Sequence, residues 1–283
     1  MKNFNKENAK NFEKKWDSIS LAINRTFELV KGYGYVGSNL TSKNALLPIV
    51  YYLYHKGIAD DFPTKTLFSD DRKLIKKWLQ IVLIKRIFGG NSDQVLSDIR
   101  SVYTNDISRL PIDPDIMEFP FAKIQYKLRG TTKDMTVDDE YVENLLELQK
   151  EDALTFSILS LLYPNLDFKN GNFHIDHIHP LDSFKVKKLN ELGIKEEENP
   201  DFFDKEKYNS ILNLQLLDSN ENESKSNSEL ANWVEEERAK QNVSVEKFCE
   251  NHLIPNILEF DKFPRFIEER SAILKSKIKS LIN

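Results

Sequence analysis

Apolar residues spaced by three and four mark most of this chain as helical. Phe12, Trp16, Ile19, Ile23, Phe27 and Val30 form one amphipathic stripe, broken by GYGYVG at 32–37. Ser42 can cap a second helix running to His55, with Gly57 past its end. That helix is apolar on most sides (Leu46, Leu47, Ile49, Val50, Leu53), which predicts a central buried element. Ser69-Asp70-Asp71 opens a third, striped by Leu74, Trp78, Ile81 and Ile84 and stopped at Gly89-Gly90. Ser92 starts a fourth, with Val95, Leu96, Ile99 and Val102 inward. A loop carrying Pro111, Pro114 and Pro120 precedes one more helix before Gly130.

From Thr136 the helical pattern resumes. Val142, Leu145 and Leu146 share one helix, and Leu154, Ile158, Leu159 and Leu162 the next, which Pro164 ends. Period-two alternation appears in two places, FHIDHI (173–178) and NLQLL (213–217), and predicts a strand pair. A long polar insert rich in Lys and Glu separates them. DSNENESKSNSELANW then reads as a loop with capped helix starts. Phe263, Phe266, Ile267, Ile273, Leu274, Ile278 and Leu281 stripe a last amphipathic helix. The fold class is mainly α, with a helical domain over 1–135 and a second domain over 136–283.

Composition narrows what such a protein does. With 40 basic and 45 acidic residues the net charge is −5, so DNA contact has to come from a local patch. The single cysteine, Cys249, excludes a disulfide framework and a cysteine-based zinc site. The charged opening MKNFNKENAKNFEKKW does not read as a secretory signal, and no apolar run suits a membrane span, so the expectation is a cytoplasmic protein with no membrane association.

The histidines carry the chemistry. Three of five fall in His174-Ile175-Asp176-His177-Ile178-His179-Pro180. Strand alternation groups Ile175, His177 and His179 on one face and His174, Asp176 and Ile178 on the other, and a twist or bulge near the strand end lets Asp176 and His177 converge. Phosphodiester hydrolysis needs a divalent ion on the phosphate and a base for water. A carboxylate is a hard ligand suited to Mg²⁺ or Mn²⁺. A histidine titrates near neutrality and suits the base. A second oxygen ligand has to come from a later element. The competing metal reading, zinc on His174, His177 and His179, conflicts with alternation, and no zinc is expected.

DHIHP, ILNLQLL and SNENESKSN together resemble an HNH, or ββα-metal, endonuclease. The resemblance implies a ββα core at about 172–230 embedded among helices, with one Mg²⁺ or Mn²⁺ held by Asp176 and Asn222. It assigns the general base to His177, the hairpin-holding asparagine to Asn213 and the helix lysine to Lys225. The insert between the strands is longer than is usual in that family, and no cysteines staple it through zinc. Across roughly residues 10–280, NALLPIVYYLYHKG, IKKWLQIVLIKRIFGGNSDQVLSDIR, FSILSLLYPNLDF and HIDHIHP, in that order, resemble the C-terminal half of GmrSD-type restriction endonucleases. Those enzymes are modification-dependent (type IV) anti-phage nucleases that join an N-terminal ParB-like nucleotidase domain to a C-terminal HNH domain. The resemblance implies metal-dependent nicking or cleavage of DNA, modified phage DNA included. It also implies a ParB-like nucleotidase domain or subunit outside this chain, so a fragment or one part of a split system is expected. The alternative is a catalytically idle or partner-dependent binding subunit of a two-component restriction complex.

The remaining polar residues read two ways. His174 can orient Asp176 from behind, or be structural. His179 reads as packing or surface, and His252 as surface. Lys225 reads equally as surface charge and as a phosphate contact. Lys73, Lys76, Lys77, Lys85 and Arg86 form an ordinary solvated face. Lys185, Lys187 and Lys188 follow DHIHP closely enough to be candidate nucleic-acid contacts.

Overall fold

The computed structural model describes residues 5–104, 112–113 and 115–283. Pro111 and Pro114 of the expected proline loop lie outside the described residues. The chain divides into two compact units, Met1–Met135 with Asp167–Lys169, and Thr136–Leu166 with Asn170–Asn283. Among the described residues the structure is mainly helical, with one two-stranded sheet. None of these helices is long and apolar enough to cross a membrane.

The first unit contains α1 (Lys6–Gly32), α2 (Leu47–Lys56), α3 (Ser69–Ile84), α4 (Ser92–Tyr103) and α5 (Phe121–Leu128). Its centre is aromatic: Tyr52 meets Phe119 edge-on at 5.7 Å, and Trp78 meets Phe119 at 5.0 Å. Asp71 is buried beside them, accepting from the Tyr52 hydroxyl at 2.7 Å and the Phe119 N–H at 2.8 Å. Two expectations fail here. Of the α1 stripe, Val30 is buried and Ile19 and Ile23 are half-buried, but Phe12, Trp16 and Phe27 face outward, and Ala22, Thr26 and Leu29 complete the buried face. Periodicity finds a helical face but not what covers it, and here the smaller residues pack most closely. Ser42 makes no side-chain cap. The chain instead enters α2 through a 3₁₀ turn at Lys43–Leu46, and Leu47 stays exposed. Gly57, in the left-handed region at φ 65°, closes α2 by donating to Leu53 and Tyr54 carbonyls.

The second unit runs α6 (Asp139–Leu146), α7 (Thr155–Leu162), β1 (Phe173–His177), α8 (Val186–Glu191), α9 (Lys205–Tyr208), β2 (Leu214–Asp218), α10 (Ser219–Lys225), α11 (Leu230–Gln241), α12 (Val245–His252) and α13 (Phe263–Ile282). β1 and β2 pair antiparallel, with Phe173 opposite Asp218, Asp176 opposite Gln215 and His177 opposite Leu214. The connection between them is not simply a polar insert. Ile178, Phe184, Leu189, Ile194 and Phe202 enter one core with Trp233, Phe248, Phe263 and Phe266. A few apolar positions in a charged segment suffice to anchor it, because each buried large side chain contributes about 1.5–3 kcal/mol. β2 also departs from simple alternation, since Leu214 to Leu217, the polar Gln215 included, are all buried.

Candidate active site

α10 follows β2 directly because Asp218 both ends the strand and caps the helix, accepting from the Asn220 and Glu221 N–H groups at 2.8 and 2.9 Å. α10 packs on both strands. Its last residue, Lys225, is fully buried. The Lys225 ammonium donates to the His177 carbonyl at 2.6 Å and lies 2.9 Å from Asp176 Oδ2. The second contact is an ion pair that commits Oδ2 to the ammonium. Burial lowers the Lys225 pKa, and the Asp176 charge opposes that shift. The sequence offered surface charge or a phosphate contact for Lys225. The structure instead ties it to the end of β1.

Asn213 sits in the 3₁₀ turn Ile211–Asn213 that leads into β2. Its Oδ1 accepts from the His179 N–H at 2.9 Å, and its Nδ2 donates to the carbonyls of His179 at 3.0 Å and Tyr208 at 2.8 Å. The Asn213 carbonyl accepts from the Ile178 N–H at 2.8 Å. One buried amide thus fixes the backbone just past Asp176-His177 to the start of the partner strand.

His177 is 4 % exposed, and its Nε2 meets Asn209 Oδ1 at 2.9 Å. Burial lowers its pKa, with the Asn209 bond and the Asp176 charge opposing and Lys150 and Lys225 reinforcing, which keeps the ring neutral at pH 7. Asn209 in turn donates to Glu151 Oε2 at 3.0 Å and Gln149 Oε1 at 3.2 Å. Neither Asn209 nor the 149–151 segment belongs to the sequence-predicted set. Asn209 lies inside the insert, four residues before Asn213, and nothing in its local pattern distinguishes it. Residues 149–151 precede α7 and reach the site only through tertiary pairing.

Asn222 lies on α10 one turn before Lys225, half-buried, and its side chain makes no hydrogen bond within the described residues. His174 is exposed and meets Ser219 Oγ at 3.2 Å and Asn172 Nδ2 at 3.4 Å, not Asp176. Lys185 pairs with Asp182 at 2.6 Å, and Lys188 pairs with the same carboxylate, holding it down to about 2. Lys187 is exposed and has no ion pair among the described residues. His179 is buried against Phe266, Phe263 and Phe260, with ring centroids 4.6, 5.7 and 5.8 Å away. Burial drives its pKa down to about 3, so it is a neutral packing group. His252 is half-buried rather than fully exposed. It stacks on Phe248 at 4.2 Å and meets Trp233 at 5.5 Å, with its pKa lowered to about 4.

The donor chemistry fits a hard divalent ion. Asp176 offers a carboxylate, one oxygen of which is paired with the Lys225 ammonium, and Asn222 offers a carboxamide with no hydrogen bond among the described residues. Gln215 lies directly across the ladder from Asp176, and both polar atoms of its buried side chain lack partners. Cross-strand partners share a face, so this second orphaned amide belongs to the Asp176 side of the sheet. No protein-family model matches the chain, and no curated protein matches it.

Proposed function

We propose that this protein is a metal-dependent phosphodiesterase of the HNH type that nicks or cleaves DNA. The observation that carries this reading is the double tie of Lys225 to the Asp176 carboxylate and to the His177 carbonyl, which fixes the strand end that carries Asp176 and, held separately by Asn209, the His177 imidazole. Asp176 and Asn222 would hold one Mg²⁺ or Mn²⁺. Such an ion, when bound, polarises the phosphate and stabilises the charge developing on the leaving 3′ oxygen. His177 takes the proton of the attacking water on its ring nitrogen, while Asn209 holds the other nitrogen. Asn213 keeps the strand end rigid, and Lys225 sets the orientation of the Asp176 carboxylate. On this reading the chain is the nuclease component of an anti-phage restriction system, acting with a ParB-like nucleotidase partner on phage DNA, and it works in the cytoplasm.

Calorimetric titration with Mn²⁺ tests the metal site. The expected result is one site in the wild-type chain and none in Asp176→Ala, with EDTA-sensitive cleavage of a DNA duplex in preference to an RNA of the same sequence. Equal Mn²⁺ binding by both proteins would remove Asp176 from the site and the reading with it.

A further inference from the structure

The hydrogen bonds around Asn209 have a directional logic of their own. A carboxylate can only accept, so the Asn209 Nδ2 must be the atom facing Glu151 at 3.0 Å. Gln149 imposes the same choice independently. Its Nε2 donates to the carbonyls of Glu147 at 2.7 Å and Glu206 at 3.0 Å, which leaves its Oε1 to accept from Asn209 Nδ2 at 3.2 Å. With Nδ2 committed on one side, Asn209 Oδ1 faces His177 Nε2 at 2.9 Å and can only accept from it. When the ring carries a single proton, that proton therefore resides on Nε2 and the lone pair on Nδ1.

The backbone makes this arrangement rigid. Lys150 N–H donates to the Asn209 carbonyl at 3.1 Å, Ile211 N–H donates to the Leu148 carbonyl at 2.9 Å, and Gln149 and Ser210 form an antiparallel bridge. Asn209 and His177 are almost completely buried, at 3 and 4 % exposure, so water does not compete for the bond between them.

We propose that Asn209 is a positioning residue which, oriented by Glu151 and Gln149, fixes His177 as the Nε2–H tautomer and so makes Nδ1 the nitrogen that receives the proton. The proposal rests on the assignment of His177 as general base. It adds a functional element from outside the ββα unit, the segment Gln149–Glu151.

Tautomer and activity are read separately. The full-length chain, labelled with ¹⁵N-histidine and free of metal at pH 8, is examined by two-bond ¹H–¹⁵N correlation, with His177 assigned by its loss in His177→Gln. The wild type is expected to give one pyrrole-type Nε2 and one pyridine-type Nδ1. In Asn209→Leu the two shifts are expected to converge as tautomers exchange. The exposed Glu151→Gln, which removes one of the two groups that set the Asn209 amide and leaves Gln149, should give at most an intermediate pattern with the rest of the spectrum intact. A mixed or Nδ1–H ring in the wild type, or unchanged shifts in both variants, overturns the proposal. In plasmid nicking, Asn209→Leu is expected to lower kcat by roughly 10–100-fold with KM within about twofold. A loss of this size in a variant whose His177 shifts stay at the wild-type values would mean that Asn209 does not act through His177. A wild-type chain that holds the Nε2–H tautomer but never nicks DNA would count against the nuclease reading while leaving the hydrogen-bond assignment in place.

Discussion

A buried ammonium is tolerated only when its charge and its protons are both answered, and Lys225 answers them with a carboxylate, a carbonyl and the face of Trp233, 5.7 Å from Nζ to the ring centroid. Removing it leaves Asp176 charged and half-enclosed. Lys225→Met is therefore expected to destabilise the fold by about 3–5 kcal/mol in urea unfolding, the range for breaking a buried pair from one side. A loss below about 1 kcal/mol would mean that the pair is solvated and that the residue does not hold the strand end. At this scale the sequence was legible as far as motif spacing reaches. Asp176, His177, Asn213 and Lys225 could be singled out as a set, because dense histidines and the later Asn-x-x-Lys are visible along the chain. Asn209 and Glu151 could not, since their pairing spans 58 residues and depends on how the insert folds back. Burial of Lys225 was equally hidden, because a helix-ending lysine is ordinarily exposed.

At the scale of elements, β2 is held from behind by one guanidinium. Arg270 of α13, itself buried, donates to the carbonyls of Leu212 at 2.8 Å, Leu214 at 2.7 Å and Leu253 at 3.1 Å. Each buried acceptor left unpaired costs about 1–3 kcal/mol, so Arg270→Met should lower stability by about 3–5 kcal/mol in chemical denaturation. A change under about 1 kcal/mol would show that water replaces the clamp. The buried histidines give the elements a pH signature. His179, with a usual value of 6.5 and a folded value near 3, must shed its proton to stay buried. Its contribution is complete above pH 6.5 and is lost as pH falls through that value, at about 1.4 kcal/mol per unit. Urea midpoints between pH 8 and pH 5 should fall accordingly, and His179→Leu should flatten the slope; stability that is level or rises towards pH 5 contradicts this. Element existence was readable from period, as α3, α4 and the β1–β2 pair illustrate. The buried face of α1 and the double-sided burial of β2 were not, because both are decided by neighbours distant in sequence.

For the whole molecule, the net charge of −5 limits how DNA can be held. Lys185 and Lys188 are occupied by Asp182, so on the nuclease reading phosphate contacts fall to groups such as Lys187 and to Lys150, whose charge acts on His177. With two or three phosphates neutralised, log K against log salt should have a slope of about −2 to −3. A slope steeper than about −6 would reveal a larger basic surface. Composition gave the charge constraint directly. It could not reveal which lysines were already paired, because that depends on a carboxylate three or six positions away and on the turn between them.

The central claim is that Asp176 and His177 form one working metal-dependent site. Relaxation of supercoiled plasmid by the purified chain in Mn²⁺ or Mg²⁺, beside Asp176→Ala and His177→Ala of matched circular dichroism, tests it most directly. The expected result is nicking by the wild type, abolished by EDTA and lost in both variants. Full metal-dependent nicking by His177→Ala would contradict it.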